Sequence, residues 1–485
     1  MNKGIERWDL APGFSISRVL TGLWQIADME RDGRTLDVAA KARAMAPYVE
    51  AGFTTFDMAD HYGSAEEIAG RFAHEQETGT VQLLTKWVPE PGPKTREDVR
   101  HAVQSSLKRM QTDCLDVLQF HTWAYSDPSC LDCLFYLQEL KEEGFIRHLG
   151  LTNVDTAHLR VIVNSGIDIV SNQVCFSLLD QRARTNGMTA FCRVHGITLL
   201  AFGTLAGGFL TERHLGQSEP TWADLDTWSQ MKYRRFIDQA GGWDALQRLL
   251  HVIHAVAQRH SVSMANIATR YILEQPAVGG IIIGARLGFS ERIEENVRLF
   301  QFTLDETDLY EIEDALASLY PIPGDCGDEY RRPPFLTASG DLSHHLENTP
   351  PPYEVQAQQN GQTYVLSGTV WEDIAGFSRA VRSGDRILVS GTTATHGEHL
   401  IGGSDPAAQT HFVIDKIEGA IRSLGGRLED VVRTRVYVDD MANWEPVARA
   451  HGERFREIKP ANTLVQAGLI GSDYLVEIEA EAVVQ

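Results

Sequence analysis

From residue 19 to residue 299 the sequence alternates short β-rich runs with longer stretches of helical period, and no other feature constrains the fold as strongly. The runs fall at 19–23, 54–57, 81–86, 115–121, 148–151, 169–173, 197–202 and 280–283, with helical patterns at 39–50, 65–75, 95–110, 131–143 and 155–165 between them. Several of these patterns end at a glycine, the residue that a helix C-terminus favours. Strand and helix in alternation build a parallel sheet, and eight such strands predict an α/β fold closed into a (β/α)8 TIM barrel.

One segment breaks the rhythm. Residues 211–242 follow the seventh strand with no clear period and carry Trp222, Trp228, Met231, Tyr233 and Phe236. A long aromatic loop is either a lid or substrate wall at the barrel mouth, or a loop that packs its rings on the barrel. After a last helix at 304–319 the composition turns rich in Pro, Gly, Ser and His over 321–352, with Pro333-Pro334 and Pro350-Pro351-Pro352, as in an interdomain linker. Beyond it lie β-rich runs at 364–370, 386–390, 431–438 and 475–483 and amphipathic helices around Val413 to Leu424 and 443–455, which predict a compact α+β domain. The expected division is a barrel over 1–320, a linker over 321–360 and a second domain over 361–485.

Composition narrows the function. The 44 Lys+Arg against 66 Asp+Glu leave a formal charge of −22, which repels nucleic acid and anionic lipid and requires any anionic ligand to find a local basic pocket. No apolar run approaches a membrane span, and no signal peptide is read at the start, so a cytoplasmic protein is expected. Six cysteines are too sparse for a disulfide scaffold. Cys130 and Cys133 form one close pair within an amphipathic stretch, with no second pair to complete a zinc site; buried structural thiols are expected, and no metal.

In such a barrel, chemistry sits at the C-terminal ends of the strands. Those positions hold Asp57 with Tyr62 just after, Lys86, His121, Thr152-Asn153, Gln173, Phe202 and Arg286. Asp57, Tyr62, Lys86 and His121 together suit reduction of a carbonyl, because hydride attack builds negative charge on an oxygen that must be protonated or held by donors. A phenol is a weak acid at neutral pH; Lys86 would supply the charge that lowers its pKa, Asp57 would orient the ammonium, and His121 would position the carbonyl. Singly, each also reads as a buried ion pair, a packed ring or a strand-end cap.

The run Gly52-Phe53-Thr54-Thr55-Phe56-Asp57-Met58-Ala59-Asp60-His61-Tyr62-Gly63, then Leu84-Thr85-Lys86, then Asp116-Val117-Leu118-Gln119-Phe120-His121 resembles the aldo-keto reductases in order and spacing. The resemblance spans roughly residues 15 to 320. It implies NADPH-dependent reduction of aldehydes and ketones by the tetrad Asp57, Tyr62, Lys86 and His121, with Tyr62 as proton donor. It also implies that Thr152, Asn153 and Gln173 bind the nicotinamide carboxamide and that Phe202 stacks on the ring, with Gly203 and Leu205 in the same cofactor-binding stretch. Met58 and Thr152 replace the family's usual residues, and Phe202-Gly203-Thr204-Leu205 lacks its Tyr-Ser-Pro pattern.

No glycine-rich Rossmann turn opens a βα unit. Instead Gly284-Ala285-Arg286 leads into Ser290-Glu291-Arg292-Ile293-Glu294-Glu295-Asn296, two guanidiniums near a helix N-terminus. The run is similar to the family's adenosine-phosphate motif: Arg286 and Arg292 would hold the ribose phosphate and Glu295 and Asn296 the adenine, with Gly284 in the same cofactor-binding run, favouring NADP(H). Surface arginines paired with the helix's own glutamates are the plainer reading.

From about residue 364 onward, Phe377-Ser378-Arg379-Ala380-Val381, Ser390-Gly391, Gln409-Thr410, Leu428-Glu429-Asp430-Val431-Val432, Pro460-Ala461 and Val476-Glu477-Ile478-Glu479-Ala480 resemble the Rid (YjgF-like) family, whose fold is of chorismate-mutase type. That resemblance implies a homotrimer with intersubunit clefts and imine hydrolysis by an Arg that binds the substrate carboxylate. Asn462 occupies that Arg position and Phe377 replaces the cleft's Tyr, so deaminase activity is expected to be absent or altered. The chain as a whole is expected to be a carbonyl reductase with a trimerising or ligand-binding second domain. Its alternatives are an enzyme coupling imine hydrolysis to reduction and a non-catalytic NADPH-sensing scaffold.

Overall fold

A computed structural model of the chain describes residues 4–289, 291–332, 342–358 and 361–484. A hairpin, β1 (Arg7–Ala11) and β2 (Phe14–Ser17), precedes eight parallel strands: β3 (Val19–Gly22), β4 (Thr55–Asp57), β5 (Gln82–Trp87), β6 (Leu115–Phe120), β7 (Ile146–Thr152), β8 (Ile169–Cys175), β9 (Thr198–Phe202) and β10 (Val278–Gly284). They close in order, with β10 paired to both β9 and β3. All eight runs read from the sequence are strands of this barrel. The hairpin, by contrast, is not foreshadowed by the βα alternation. Its Leu10, Phe14 and Ile16 cluster with Leu20, Leu84, Val117 and Leu200 from inside the barrel, so apolar packing closes one end and leaves the other for chemistry.

Helix boundaries follow capping chemistry. Thr95 and Asp98 form a capping box at the start of Arg96–Met110, and Asp155 caps Thr156–Asn164 by accepting from His158 N. The single helix expected over 39–50 is two, Val38–Arg43 and Ala46–Glu50, because Pro47 sits in the first turn of the second, where its missing N–H costs nothing. The aperiodic segment 211–242 contains a twelve-residue helix, Trp228–Gln239, started by a Thr227–Gln230 capping box. Its period is hidden because Lys232 and Arg234 are buried on the face where apolar residues would mark it.

The C-terminal domain is a seven-stranded sheet in the order β11 (Val355–Ala357), β12 (Thr363–Val365), β13 (Ala380–Ser383), β14 (Arg386–Thr392), β19 (Val476–Val483), β17 (Val431–Val438) and β18 (Ala461–Gln466), with a small pair, β15 (Thr395–His396) and β16 (His399–Leu400). Helices Pro406–Ser423 and Trp444–Phe455 accompany it, and on β19 Val476, Ile478, Ala480 and Ala482 are buried in strict alternation. The stretch expected to be β-rich over 364–370 ends at Val365 and gives way to helix Val370–Ala375. Within 321–360 it is the described residues that depart furthest from the linker expectation. Asp328–Arg331 is a helical turn with Asp328, Glu329 and Tyr330 buried, and β11 belongs to the C-terminal sheet. Pro333-Pro334 lies outside the described residues. No helix among the described residues is long and apolar enough to cross a membrane, and no cluster of His, Cys, Asp or Glu among them could hold a metal.

Candidate active site

The C-terminal ends of the barrel strands surround a cavity of about 510 Å³. Asp57 ends β4 and Lys86 lies next to the end of β5, and their pairing is enforced by the parallel register of the two strands. Lys86 Nζ donates to Asp57 Oδ1 at 2.8 Å, to Oδ2 at 2.7 Å and to the Met58 carbonyl at 2.8 Å. Gln119 and Gln173 also donate to Asp57 Oδ1, at 3.1 Å and 2.7 Å, so the carboxylate is held from β5, β6 and β8 at once. Both ions are 3% exposed, which makes the pair far stiffer than a surface salt bridge. Burial depresses the Lys86 pKa, with Asp57 and Asp60 opposing it.

Tyr62 sits above this pair, the ammonium 5.1 Å from its ring centroid. Trp24 and His61 pack edge-on against the ring at 4.9 Å and 4.8 Å, fixing its plane. His121 follows β6, buried, with Nδ1 3.4 Å from the Thr152 carbonyl and Nε2 buried without a hydrogen-bond partner. Burial and the nearby Arg331 push its pKa well below the usual range, so the ring is neutral.

Asp57, Tyr62, Lys86 and His121 therefore line one cavity, and Thr152, Asn153, Gln173, Phe202, Gly203, Leu205, Gly284, Arg286, Arg292 and Asn296 line it with them. Glu295 does not: its carboxylate accepts from Arg292 at 3.4 Å and its carbonyl from Asn266. Ser290 lies outside the described residues. Arg286 donates to Asp28 at 3.2 Å and remains 40% exposed, able to turn to an anion in the cavity. Gly203 adopts φ +71 where a Cβ would strike the Tyr233 hydroxyl, so glycine is required.

Several wall residues escaped the sequence reading. Trp24, two residues beyond β3, lines the cavity at the end of the one strand for which no strand-end residue is named above. Lys232, buried on the hidden helix, donates to Tyr330 Oη at 2.6 Å, and both line the cavity. No sequence signal marks Tyr330, which stands in a stretch whose composition resembles a linker. Trp123 and, from the aperiodic segment, Trp228 line the cavity, whereas the half-buried Tyr125 does not. Cys130 and Cys133 are unpaired thiols, and burial pushes Cys133 up to about 12.

Residues 18–317 match the Aldo/keto reductase family. The chain belongs to that family. This aldo-keto reductase is 30% identical over 218 residues to the NADH-specific methylglyoxal reductase of Escherichia coli, covering 44% of this chain and 62% of that protein. A glycerol dehydrogenase of Gluconobacter oxydans superposes with a TM-score of 0.54 at 22% identity, over 67% of this chain and 98% of that one, a likeness of fold. Residues 369–484 match the Endoribonuclease L-PSP family, and 119 residues are 44% identical to an uncharacterized protein of Streptomyces coelicolor, 24% of this chain and 89% of that protein. The aldo-keto reductase thus carries a Rid/YjgF-like C-terminal domain.

Proposed function

We propose that the barrel reduces an aldehyde or ketone using NADPH, with Asp57, Tyr62, Lys86 and His121 as its catalytic residues. The observation that carries this reading is the buried Lys86–Asp57 pair placed against Tyr62 in the cavity that also holds His121. Two buried polar atoms without partners, His121 Nε2 and Asn153 Oδ1, belong to cavity-lining residues and suit a bound carbonyl and carboxamide. Bound nicotinamide would supply the hydride. Tyr62 holds the proton at its hydroxyl, and the Lys86 charge favours the phenolate left when that proton passes to the substrate oxygen. Asp57 keeps the ammonium in place. The Nδ1 contact of His121 is long enough to be given up readily, and the neutral ring then carries its proton on Nε2 and donates to the carbonyl oxygen.

Arg286 and Arg292 on the cavity wall favour a 2′-phosphate, hence NADPH, although a relative at 30% identity is named for NADH. Turnover of a carbonyl panel with each cofactor tests both parts: no turnover with either removes the reductase reading, and tight cofactor binding without turnover leaves the sensing scaffold. Preference for NADH removes the phosphate assignment.

For the C-terminal domain we propose self-association rather than imine hydrolysis. Asn462 donates to Thr434 Oγ1 on the buried side of the sheet, while Glu477 lies on the other side, so the two motif positions do not converge within one chain. The open side exposes Leu388 and Val465 at 49% and 42% among charged neighbours, a face suited to other copies of the chain as a trimer. Light scattering of the full chain decides; a monomer ends this proposal, and ammonia release from imino acids would restore the coupled-enzyme alternative.

A further inference from the structure

The family match ends at residue 317, yet the chain returns to the barrel mouth ten residues later. Gly327, at φ +85, brings its backbone so close to Asn153 that a Cβ would collide with the Asn153 carbonyl. Arg331 then fastens the segment down. Its guanidinium donates to the Asn153 carbonyl at 2.6 Å and to the Thr122 carbonyl at 2.6 Å and 3.2 Å. Thr122 follows His121, and Asn153 is the left-handed residue at the end of β7, with φ +59 and its N–H on the Gln173 carbonyl. One planar fork therefore ties the backbone that carries the carbonyl-positioning His to the backbone that carries the carboxamide-binding Asn.

The same guanidinium lies 4.5 Å from the Tyr125 ring centroid, and the other route from Tyr125 leads out of the barrel. Tyr125 stacks on His158 with centroids 3.4 Å apart and planes 5° from parallel, and its hydroxyl accepts from Asp155 N at 3.1 Å. His158 bridges two carboxylates, Asp155 at 2.6 Å and Asp415 of the C-terminal domain at 3.0 Å. Asp415 is held in turn by Arg454 at 2.5 Å. On this route Asp155, His158 and Asp415 are buried and Arg331 and Tyr125 half-buried, and helix Pro406–Ser423 packs directly on helix Thr156–Asn164. Aromatic stacking and charge-assisted bonds hold such groups in one arrangement, which a looser interface of exposed side chains would not do.

We propose that Arg331 is a positioning residue of the reductase site, and that docking of the C-terminal domain sets its place through Asp415, His158 and Tyr125. This rests on the reductase reading above. It assigns the second domain a part in ordering the His121 and Asn153 backbones, separate from any self-association.

The test compares the full-length protein with Arg331→Gln, Arg331→Lys, Asp415→Asn and, as an interface control off the route, Arg160→Gln, which breaks the 3.1 Å contact to Asp405. NADPH affinity is read by fluorescence titration, and kcat and KM by steady-state turnover. Arg331→Gln is expected to weaken NADPH binding and lower kcat on the order of 100-fold, the scale of an ångström-sized misplacement. Arg331→Lys, which keeps the charge and can still reach a carbonyl, recovers part of that loss. Asp415→Asn, in the other domain, weakens NADPH binding by about tenfold, roughly one lost charge-assisted bond, while Arg160→Gln matches the wild type. Wild-type affinity and kcat in Arg331→Gln, or in Asp415→Asn, overturn the proposal, as does an equal loss in Arg160→Gln, which would make the effect one of general docking. A wild-type protein that neither binds NADPH nor turns over instead removes the reductase reading.

Discussion

At the barrel mouth, Asp57, Lys86 and His121 come from successive strands and converge on one cavity. On the C-terminal sheet, Asn462 and Glu477 come from separate strands and diverge to opposite faces. Strand geometry explains the contrast. Parallel strands closed into a ring aim the residues at their ends toward a common axis, whereas an open sheet sends successive side chains to opposite sides. A barrel can therefore assemble charged groups from within one chain. On the open sheet, groups on opposite faces such as Asn462 and Glu477 cannot meet across it.

The contrast breaks first at Tyr62. Tyr62→Phe is expected to lower kcat by roughly 10³-fold while NADPH affinity holds, the loss typical of a removed general acid; Glu477→Gln on the sheet leaves carbonyl turnover unchanged, and steady-state kinetics on both proteins read the difference. Next comes Lys86→Met, which deprives buried Asp57 of its counter-charge. It should lose turnover and also destabilise the barrel by about 3 to 5 kcal/mol, seen as a lowered thermal midpoint. Arg286→Ala sharpens the cofactor side of the comparison: KM for NADPH should rise about tenfold, the worth of one charge-assisted contact, with KM for NADH unmoved.

The smallest effect lies where the two regions meet. Burial alone would depress the His158 pKa, but Asp155 and Asp415 outweigh it and lift the ring to about 9, above its ordinary 6.5. Its stabilisation is then complete below pH of about 6.5 and is lost as pH rises through about 9. Lys416, which burial holds down to about 7, contributes a slope of the opposite sign. The readout is therefore the difference in thermal midpoint between the wild type and His158→Gln, which should shrink steadily across that window; a constant difference would show that His158 is neutral in the fold.

The eight strands were legible because each is a short apolar run bounded by polar helix caps, and Asp57, Lys86 and His121 because a strand end is the place where a charged residue interrupts such a run. Trp228–Gln239 was not, since buried Lys232 and Arg234 break the apolar period that would reveal it. Residues 321–360 misled in the opposite direction: their proline and glycine content suggests a free linker, yet Tyr330 and Arg331 are drawn to the mouth by Lys232 and by two backbone carbonyls contributed by other parts of the chain.

What the sequence determined alone was local and periodic: the barrel, the division into two domains, and the residue types set at the strand ends, because these depend on spacing that any reader of the chain can count. What only the tertiary structure decided was which distant groups meet: Gln119 and Gln173 on Asp57, Arg331 on the Asn153 and Thr122 carbonyls, His158 between carboxylates of two domains, and Asn462 turned away from Glu477. Those meetings depend on ring closure and domain docking, and burial makes them strong, since a charge removed from water must find its partner wherever the fold provides one.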